Sequence, residues 1–340
     1  LTRICFYSDY FKENDCFNLS DLQKNRDNFL YFLYLLRKKL LDRNIELSTK
    51  DICPVSSSEL VIYNETPAIE IDSCKDSFLI IWESEVINPS NWNIEKHQKF
   101  KKVFTWHDEL VDNKKYFKIN FAHKFPENRS VHKMIQKKIE SKKLCTLIAG
   151  NKKVNHTLEL YSEREKTIRW FEKNTKDSFD FYGVGWDKHT SANRYIRYLL
   201  SKFTFVNKLL PTVYPSYQGA VNSKKETLSN YKFAICYENA QMIPGYITEK
   251  IFDCFFASCV PIYWGAPNIT EHIPADCFID RRNFDSHEEL YNFINNMSED
   301  EYNTIQVNIE NYLFSEKANP YKAETFAHTI AQHVLSDLKQ

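Results

Sequence analysis

Residues 231–265, YKFAICYENAQMIPGYITEKIFDCFFASCVPIYWG, are the stretch in which the fold is most plainly written. Lys232–Tyr237 is a short β-branched and aromatic run that stops abruptly at Glu238 and Asn239, and Pro244-Gly245 punctuates the loop behind it. From Tyr246 to Ala257 the apolar residues Ile247, Ile251 and Phe255 recur at helical spacing. Val260–Trp264 is a second apolar run, ended by Gly265. The pattern predicts strand, polar loop, helix and second buried strand, with the polar residues gathered at the first strand's carboxyl end and the helix start. In open α/β sheets that edge binds ligands. A helix start also offers unpaired N–H groups and the positive end of the dipole, which suit phosphate. Lys250 falls in that first turn, where a cation is slightly unfavourable to the helix alone; an anion beside it would account for its presence.

The rest of the 340-residue chain is long enough for two domains. Lysine plus arginine and aspartate plus glutamate number 45 each, so the formal charge is zero and no global field draws the chain to nucleic acid or an acidic surface. No apolar stretch of about twenty residues suggests a membrane span. Leu1-Thr2-Arg3 leads into a strand-like ICFYS without a secretory pattern. The nine cysteines are odd in number and form no C-x-x-C pair, which suits reduced thiols packed as small hydrophobes. A cytoplasmic location is expected on these grounds. All six glycines lie between Gly150 and Gly265, which assigns close backbone approach to a ligand to the second half. The basic stretch 132–143 reads as a solvated helix or linker and marks a boundary, giving domains over 1–140 and 141–320 and a terminal helix over 321–340 that packs back. The helix expected over Phe29–Leu41 is strongly apolar with a basic end; it reads as a core helix, with peripheral membrane contact as the alternative.

The run Tyr237-Glu238-Asn239, then Gly245-Tyr246-Ile247-Thr248-Glu249-Lys250, then Val260-Pro261-Ile262-Tyr263-Trp264-Gly265, resembles the donor-binding motif of the α-1,3-fucosyltransferases, glycosyltransferase family ten. The resemblance is dense over 144–295 and weak over 1–76. It implies a GT-B type α/β architecture of two Rossmann-like domains facing a central cleft. Alternating strands and helices agree: Ile4–Tyr7, Leu60–Tyr63, Phe78–Trp82 and Val103–Trp106 read as strands of the first domain, and Leu144–Ala149, Phe179–Tyr182 and Cys277–Asp280 as strands of the second. The helix after the first of these is expected over 158–172. No D-x-D occurs, which counts against the metal-holding alternative architecture.

Sugar transfer from a nucleotide-sugar needs neutralisation of a departing diphosphate and removal of a proton from the acceptor hydroxyl. Without a bound metal, cations and a helix dipole must serve the first need. Lys250 is the first candidate. Arg164 is the second, since Leu160-Tyr161-Ser162-Glu163-Arg164 resembles the family's diphosphate-binding arginine site; its bland reading is a surface arginine beside Glu163 and Glu165. Arg169 is about 140° around the helix and cannot share the position. By the same resemblance Glu249 binds the donor ribose, Tyr246 and Asn239 line the pocket, and Glu238 is a loop brace. For the base, Trp82-Glu83-Ser84-Glu85 followed by Asn88-Pro89-Ser90-Asn91-Trp92 resembles the family's T-G-E-N-E and P-x-N-[FW] segments, with Trp82 in place of the glycine and a short insertion between them. Glu83 is the better match and Glu85 the runner-up; His107-Asp108 is a rival pair.

The resemblance implies an inverting fucosyltransferase that moves L-fucose from GDP-fucose to a hydroxyl of an N-acetylglucosamine-containing glycan, α-1,3 linkage first. A related transferase with another nucleotide-sugar or acceptor, and a catalytically silent glycan-binding protein, are the alternatives. The partners are a nucleotide-sugar donor and an oligosaccharide acceptor, with no nucleic acid. No essential metal or cofactor is expected, although some family members respond to manganese. Lacking a leucine-rich heptad tail, the chain is expected to be a monomer or weak dimer.

Overall fold

A computed structural model of the chain describes residues 1–71, 76–133, 136–187, 193, 195, 198–199, 202 and 214–338. Among the described residues, eleven strands form two sheets. The first has the order β2-β1-β3-β4-β5-β6, from β1 Thr2–Tyr7, β2 Ile45–Thr49, β3 Leu60–Asn64, β4 Ser77–Ile80, β5 Lys102–Thr105 and β6 Tyr116–Lys118. The second has the order β11-β10-β9-β7-β8, from β7 Lys143–Ile148, β8 Phe179–Tyr182, β9 Tyr231–Tyr237, β10 Val260–Trp264 and β11 Ile279–Asp280. All the strand pairs in both are parallel. The longer helices are α1 Tyr31–Leu41, α2 Tyr161–Asn174, α3 Glu249–Phe256, α4 His287–Asn296, α5 Glu299–Leu313 and α6 Ala323–Asp337.

A parallel sheet hides both faces under its crossover connections, so its strands alternate between two apolar cores rather than between core and water. In β1, Ile4 and Phe6 point to one face and join Leu33, Leu36 and Leu40 of α1 and Phe326, Ile330 and Val334 of α6. Cys5 and Tyr7 point to the other and join Val61, Tyr63, Leu79, Phe100 and Val103. The apolar face of α1 is thus in the core; Phe29 and Leu41 at its ends stay exposed. Truncating a side chain such as Leu36 would cost about 2–5 kcal/mol.

The chain divides into two compact units. The first holds Leu1–Phe125, Ile243–Glu249 and Glu316–Gln340; the second holds Pro126–Met242 and Lys250–Ser315. This division is earlier than the 140/141 boundary read from composition, and it gives the first unit a short internal piece as well as the terminal helix. The break falls between Glu249 and Lys250. In both sheets the chain starts one strand in from an edge, adds that edge strand and then crosses back to extend the sheet the other way, which sets the switch points between β1 and β3 and between β7 and β9. Ligand crevices form outside the carboxyl ends of strands at such points.

Several bounds differ from the sequence reading. Helix α2 starts at Tyr161 rather than Leu158, because Leu158 and Glu159 are held in extended contact with the loop after β9: the Gln241 N–H donates to the Leu158 carbonyl at 2.8 Å and Glu159 bridges Ala240. The strand expected over Cys277–Asp280 shrinks to Ile279–Asp280 after a 3-10 turn at Ala275–Cys277. Strands β2 and β6 were not anticipated. Among the described residues, the eight cysteines are buried and unpaired, and no helix is long and apolar enough to cross a membrane.

Candidate active site

The crevice of the second sheet is built from α2 and the loops after β9 and β10. Helix α2 buries Tyr161, Arg164, Thr167, Ile168 and Phe171, a stripe at helical spacing. Arg164 therefore lies on the core side and is 4% exposed, not a surface arginine. A buried guanidinium must find acceptors. It donates to the Tyr237 carbonyl at 2.7 Å and to Asn239 Oδ1 at 3.0 Å, and stacks over the Tyr161 ring. The acids beside it in sequence go elsewhere: Glu163 pairs with Lys166, and Glu165 with Lys153 and Tyr214. Arg169, on the other side of the helix, pairs with Glu172 and stacks on Tyr214, as the helical angle requires.

Glu238, the residue after β9, is fully buried, and Lys250 Nζ sits 3.2 Å from its Oε2. The anion that a lysine in the first turn of α3 calls for is therefore supplied within the chain, and the bracing role expected of Glu238 takes the form of an ion pair. Gly265 makes room for it: a Cβ there would lie 2.5 Å from Glu238 Cγ and from the Tyr263 hydroxyl. Two residues missed in the sequence complete this edge. Arg281, 8% exposed, lies over Trp264 and donates to the Phe284 carbonyl, while its Nε has no hydrogen-bond partner. Arg282 pairs with Asp280 at 2.7 Å. The Arg281-Arg282 doublet directly after an apolar run was the available signal. The second unit thus collects Arg164, Asn239, Glu238 and Lys250 at one sheet edge.

Glu249 is half-buried at the start of α3, where the helix dipole favours it. Tyr246 belongs with the first unit; its ring is 1% exposed against Trp106 and Phe121. The approach depends on Gly245, whose φ is +80° and where a Cβ would lie 2.3 Å from the Trp106 carbonyl oxygen.

In the first unit, Glu83 and Glu85 follow β4, half-buried on either side of the buried Ser84. Trp82, which departs from the family's glycine, fills the space between Phe32, Phe121 and Phe326, with centroids 5.2, 5.6 and 5.4 Å away. The rival pair at the exit of β5 is not a dyad through Nδ1 of His107. Asp108 takes the Lys118 ammonium at 2.5 Å, and that Nδ1 has no hydrogen-bond partner. His107 stacks on Trp106 and lies against Trp92, and burial holds its pKa below the ordinary value despite nearby Glu109, Asp108 and Glu85.

Among the described residues no group of three His, Cys, Asp or Glu side chains is arranged to hold a metal ion. A cavity of about 480 Å³ is lined by Gln136, Lys142, Tyr302 and Gln306 among others. It lies by the start of β7, at the amino edge of the second sheet, away from the residues above, and is not taken as the reaction site.

Two parallel, doubly wound sheets with cations at the carboxyl edge of one and carboxylates at that of the other define a GT-B type glycosyltransferase fold. Residues 161–307 match the family described as glycosyltransferase family 10 (fucosyltransferase), C-terminal. The chain is 40% identical over 74 residues to the α-(1,3)-fucosyltransferase FucT of Helicobacter pylori, a stretch covering 22% of this chain and 15% of that protein. It is 36% identical over 73 residues to an α-(1,4)-fucosyltransferase of Arabidopsis thaliana, covering 22% and 18%. A crystal structure of an α1,3-fucosyltransferase with GDP-fucose superimposes with a TM-score of 0.58 over 98% of this chain and 89% of that one, at 18% identity. An α-glucosyltransferase in complex with UDP and DNA gives 0.56 at 10% identity, covering 99% and 100%. The two curated relatives are therefore matched over less than a fifth of their own lengths, and the solved structures share the fold.

Proposed function

We propose that this chain is an inverting fucosyltransferase that uses GDP-fucose and an N-acetylglucosamine-containing glycan acceptor, with an α-1,3 linkage. The observation that carries the reading is the presence of both a buried Arg164 and Lys250 at the carboxyl edge of the second sheet, inside the region matched to the family. In the proposed reaction the acceptor hydroxyl oxygen forms a bond to the anomeric carbon while the bond from that carbon to the β-phosphate oxygen breaks. The electron pair leaves with GDP. Lys250, Arg164 and the start of α3 stabilise the charge that develops on the diphosphate. Lys250 is pre-positioned by Glu238, so little reorganisation is needed as charge develops. Glu249 accepts hydrogen bonds from the ribose hydroxyls, and Asn239 and Tyr246 complete the donor site. Glu83 takes the acceptor proton, with Glu85 as the second choice; the base must lie on the side of the sugar away from GDP, and the carboxylates of the first unit are the candidates. Binding of the nucleoside, remote from the reacting carbon, helps to hold that carbon in place. We propose further that the enzyme needs no essential metal and acts in the cytoplasm.

The test is GDP release from GDP-fucose with a panel of galactose- and N-acetylglucosamine-containing acceptors, linkage being read by NMR on the product. Acceptor-dependent release that forms an α-1,3-fucosylated product is expected. Tight acceptor binding without turnover would overturn the proposal in favour of a glycan-binding protein on the same scaffold.

A further inference from the structure

Glu65 immediately follows β3, at the switch point of the first sheet, and nothing in the motifs drew notice to it. Its backbone has φ of 75°, in the left-handed region that non-glycine residues seldom enter. Its N–H is fixed to the Ile80 carbonyl at 3.0 Å. Oε1 accepts the backbone N–H groups of Trp82 at 2.7 Å and Glu83 at 3.0 Å. Oε2 accepts the side-chain amides of Asn88 at 3.2 Å and of Asn91. Asn91 is fully buried; its amide also donates to the Glu83 carbonyl at 3.2 Å, and its Oδ1 accepts the Thr66 N–H at 2.9 Å. The Trp92 indole N–H donates to the same Glu83 carbonyl at 3.1 Å. The peptide groups on both sides of the Glu83 Cα are thus tied down, one to Glu65 and the other to Asn91, which Glu65 holds, and to Trp92.

We propose that Glu65 is a positioning residue for transfer: its carboxylate clasps the loop 82–92 and fixes where the Glu83 side chain points. The inference rests on the reading of Glu83 as the base. Glu65 is unsuited to be that base itself. Both its oxygens are occupied by N–H donors, and an acceptor hydroxyl would have to displace one. Four donors converging on one side chain also need an ionised carboxylate, since a protonated or amidated group gives up part of its accepting capacity. Burial pushes the Glu65 pKa up, and the bonds from Asn91, Glu83, Trp82 and Asn88 oppose that rise. A left-handed residue held by so many bonds is what an over-determined functional loop contains, and a proton-accepting group gains most from being held close to its working geometry.

The experiment is a double-mutant cycle on the full chain with Glu65→Gln, Glu83→Gln and the pair. It reads kcat at saturating acceptor, KM for GDP-fucose, GDP affinity by calorimetry, and Tm. Glutamine keeps the size of Glu65 but presents an NH2 where an acceptor is required. Glu65→Gln is expected to lower kcat roughly ten- to a hundredfold with GDP affinity unchanged. The double variant is expected to be no slower than Glu83→Gln alone, because Glu65 acts only through Glu83. Wild-type kcat in Glu65→Gln overturns the inference, and so does a double variant slowed by the product of the two single factors. Wild-type kcat in Glu83→Gln removes the base assignment, and this inference with it. Should Glu65→Gln fail to bind GDP or to melt cooperatively, Asn88→Ala takes its place. It removes one donor and leaves the charge; the same non-additivity with Glu83→Gln supports the proposal, and simple multiplication overturns it.

Discussion

Replacing Lys250 with alanine does two separable things, and the structure says how to separate them. It removes a cation from the proposed diphosphate site, and it takes the ammonium away from the carboxylate of Glu238, which is fully buried 3.2 Å from it. Breaking a buried pair from one side costs about 3–5 kcal/mol. The Lys250 side chain keeps 22% of its surface exposed, which argues for the lower end. At about 3 kcal/mol, a unit of this size should melt roughly 6–12 °C lower. Turnover should fall about a hundredfold from the loss of one charge-assisted contact to the developing charge. In Lys250→Ala/Glu238→Gln the buried charge is gone, so the melting temperature should return most of the way to wild type. Turnover at saturating GDP-fucose should stay down by the same hundredfold. The assay is thermal melting beside GDP release, with Glu238→Gln alone as control. If turnover recovers together with stability in the double variant, Lys250 is only the counter-ion of Glu238 and has no place in the transfer step.

The other predictions are shorter. Arg164→Ala should weaken GDP binding by about tenfold or more, measured by calorimetry, and combine less than multiplicatively with Lys250→Ala if both meet one diphosphate; full multiplication would place them on different groups. Glu249→Ala should weaken GDP and GDP-fucose by similar factors, because ribose is common to both; unchanged GDP affinity would leave Glu249 as a helix-start residue alone. Acidification should destabilise the fold. Burial is the leading cause that holds His97, His107, His132, His287 and His333 below the ordinary value of 6.5. The unfolded chain therefore binds protons first as pH falls, so this stability is present above about 6.5 and is lost as pH drops through the folded values. Glu65, shifted upward, acts in the opposite direction and offsets part of it. The urea midpoint should be lower at pH 5.5 than at 7.5, and an equal or higher one would contradict the sign.

What could be read in advance was what is local. Phe179–Tyr182 and Val260–Trp264 have the bounds expected, because each is a short run rich in aromatic residues with a glycine directly after it, a stop that β2 and β6 lack. Strands β2 and β6 escaped notice. Each is an edge strand with a polar or charged residue inside it, as in Ile45-Glu46-Leu47-Ser48-Thr49, and each gains its place only by pairing with a neighbour already formed. The site divides in the same way. Lys250 and Arg164 stand at motif positions, and their placement at the carboxyl edge of the second sheet was legible. The partnership of Lys250 with Glu238 was half-legible, since both lie in one β–α–β unit but the loop between them hides the geometry. The part played by Glu65 was not legible, because the donors that define it come from 82–91, across a strand and a turn. Asp108 pairing with Lys118 rather than with its neighbour His107 is the converse: adjacency in sequence suggested a contact, and the next strand supplied a better one.

The interleaving of the two units has a consequence for how such a chain is made. Helix α6 covers β1 and α1 in a common core, yet residues 126–322 are synthesised between Phe125 and that helix. At about 5–20 residues per second, this leaves on the order of 10–40 s during which Ile4, Phe6, Leu36 and Leu40 have been translated but lack their cover. A nascent chain in that interval exposes a broad apolar surface. Its yield in a foreign host should depend on chaperone supply and growth temperature more than its final stability would suggest. For the same reason a chimera joined at a single crossover between two relatives would give the amino-terminal sheet another protein's closing helix, and exchanging the second unit whole requires leaving Ile243–Glu249 and the terminal helix with the first unit, so that Tyr246 and Glu249 would stay behind.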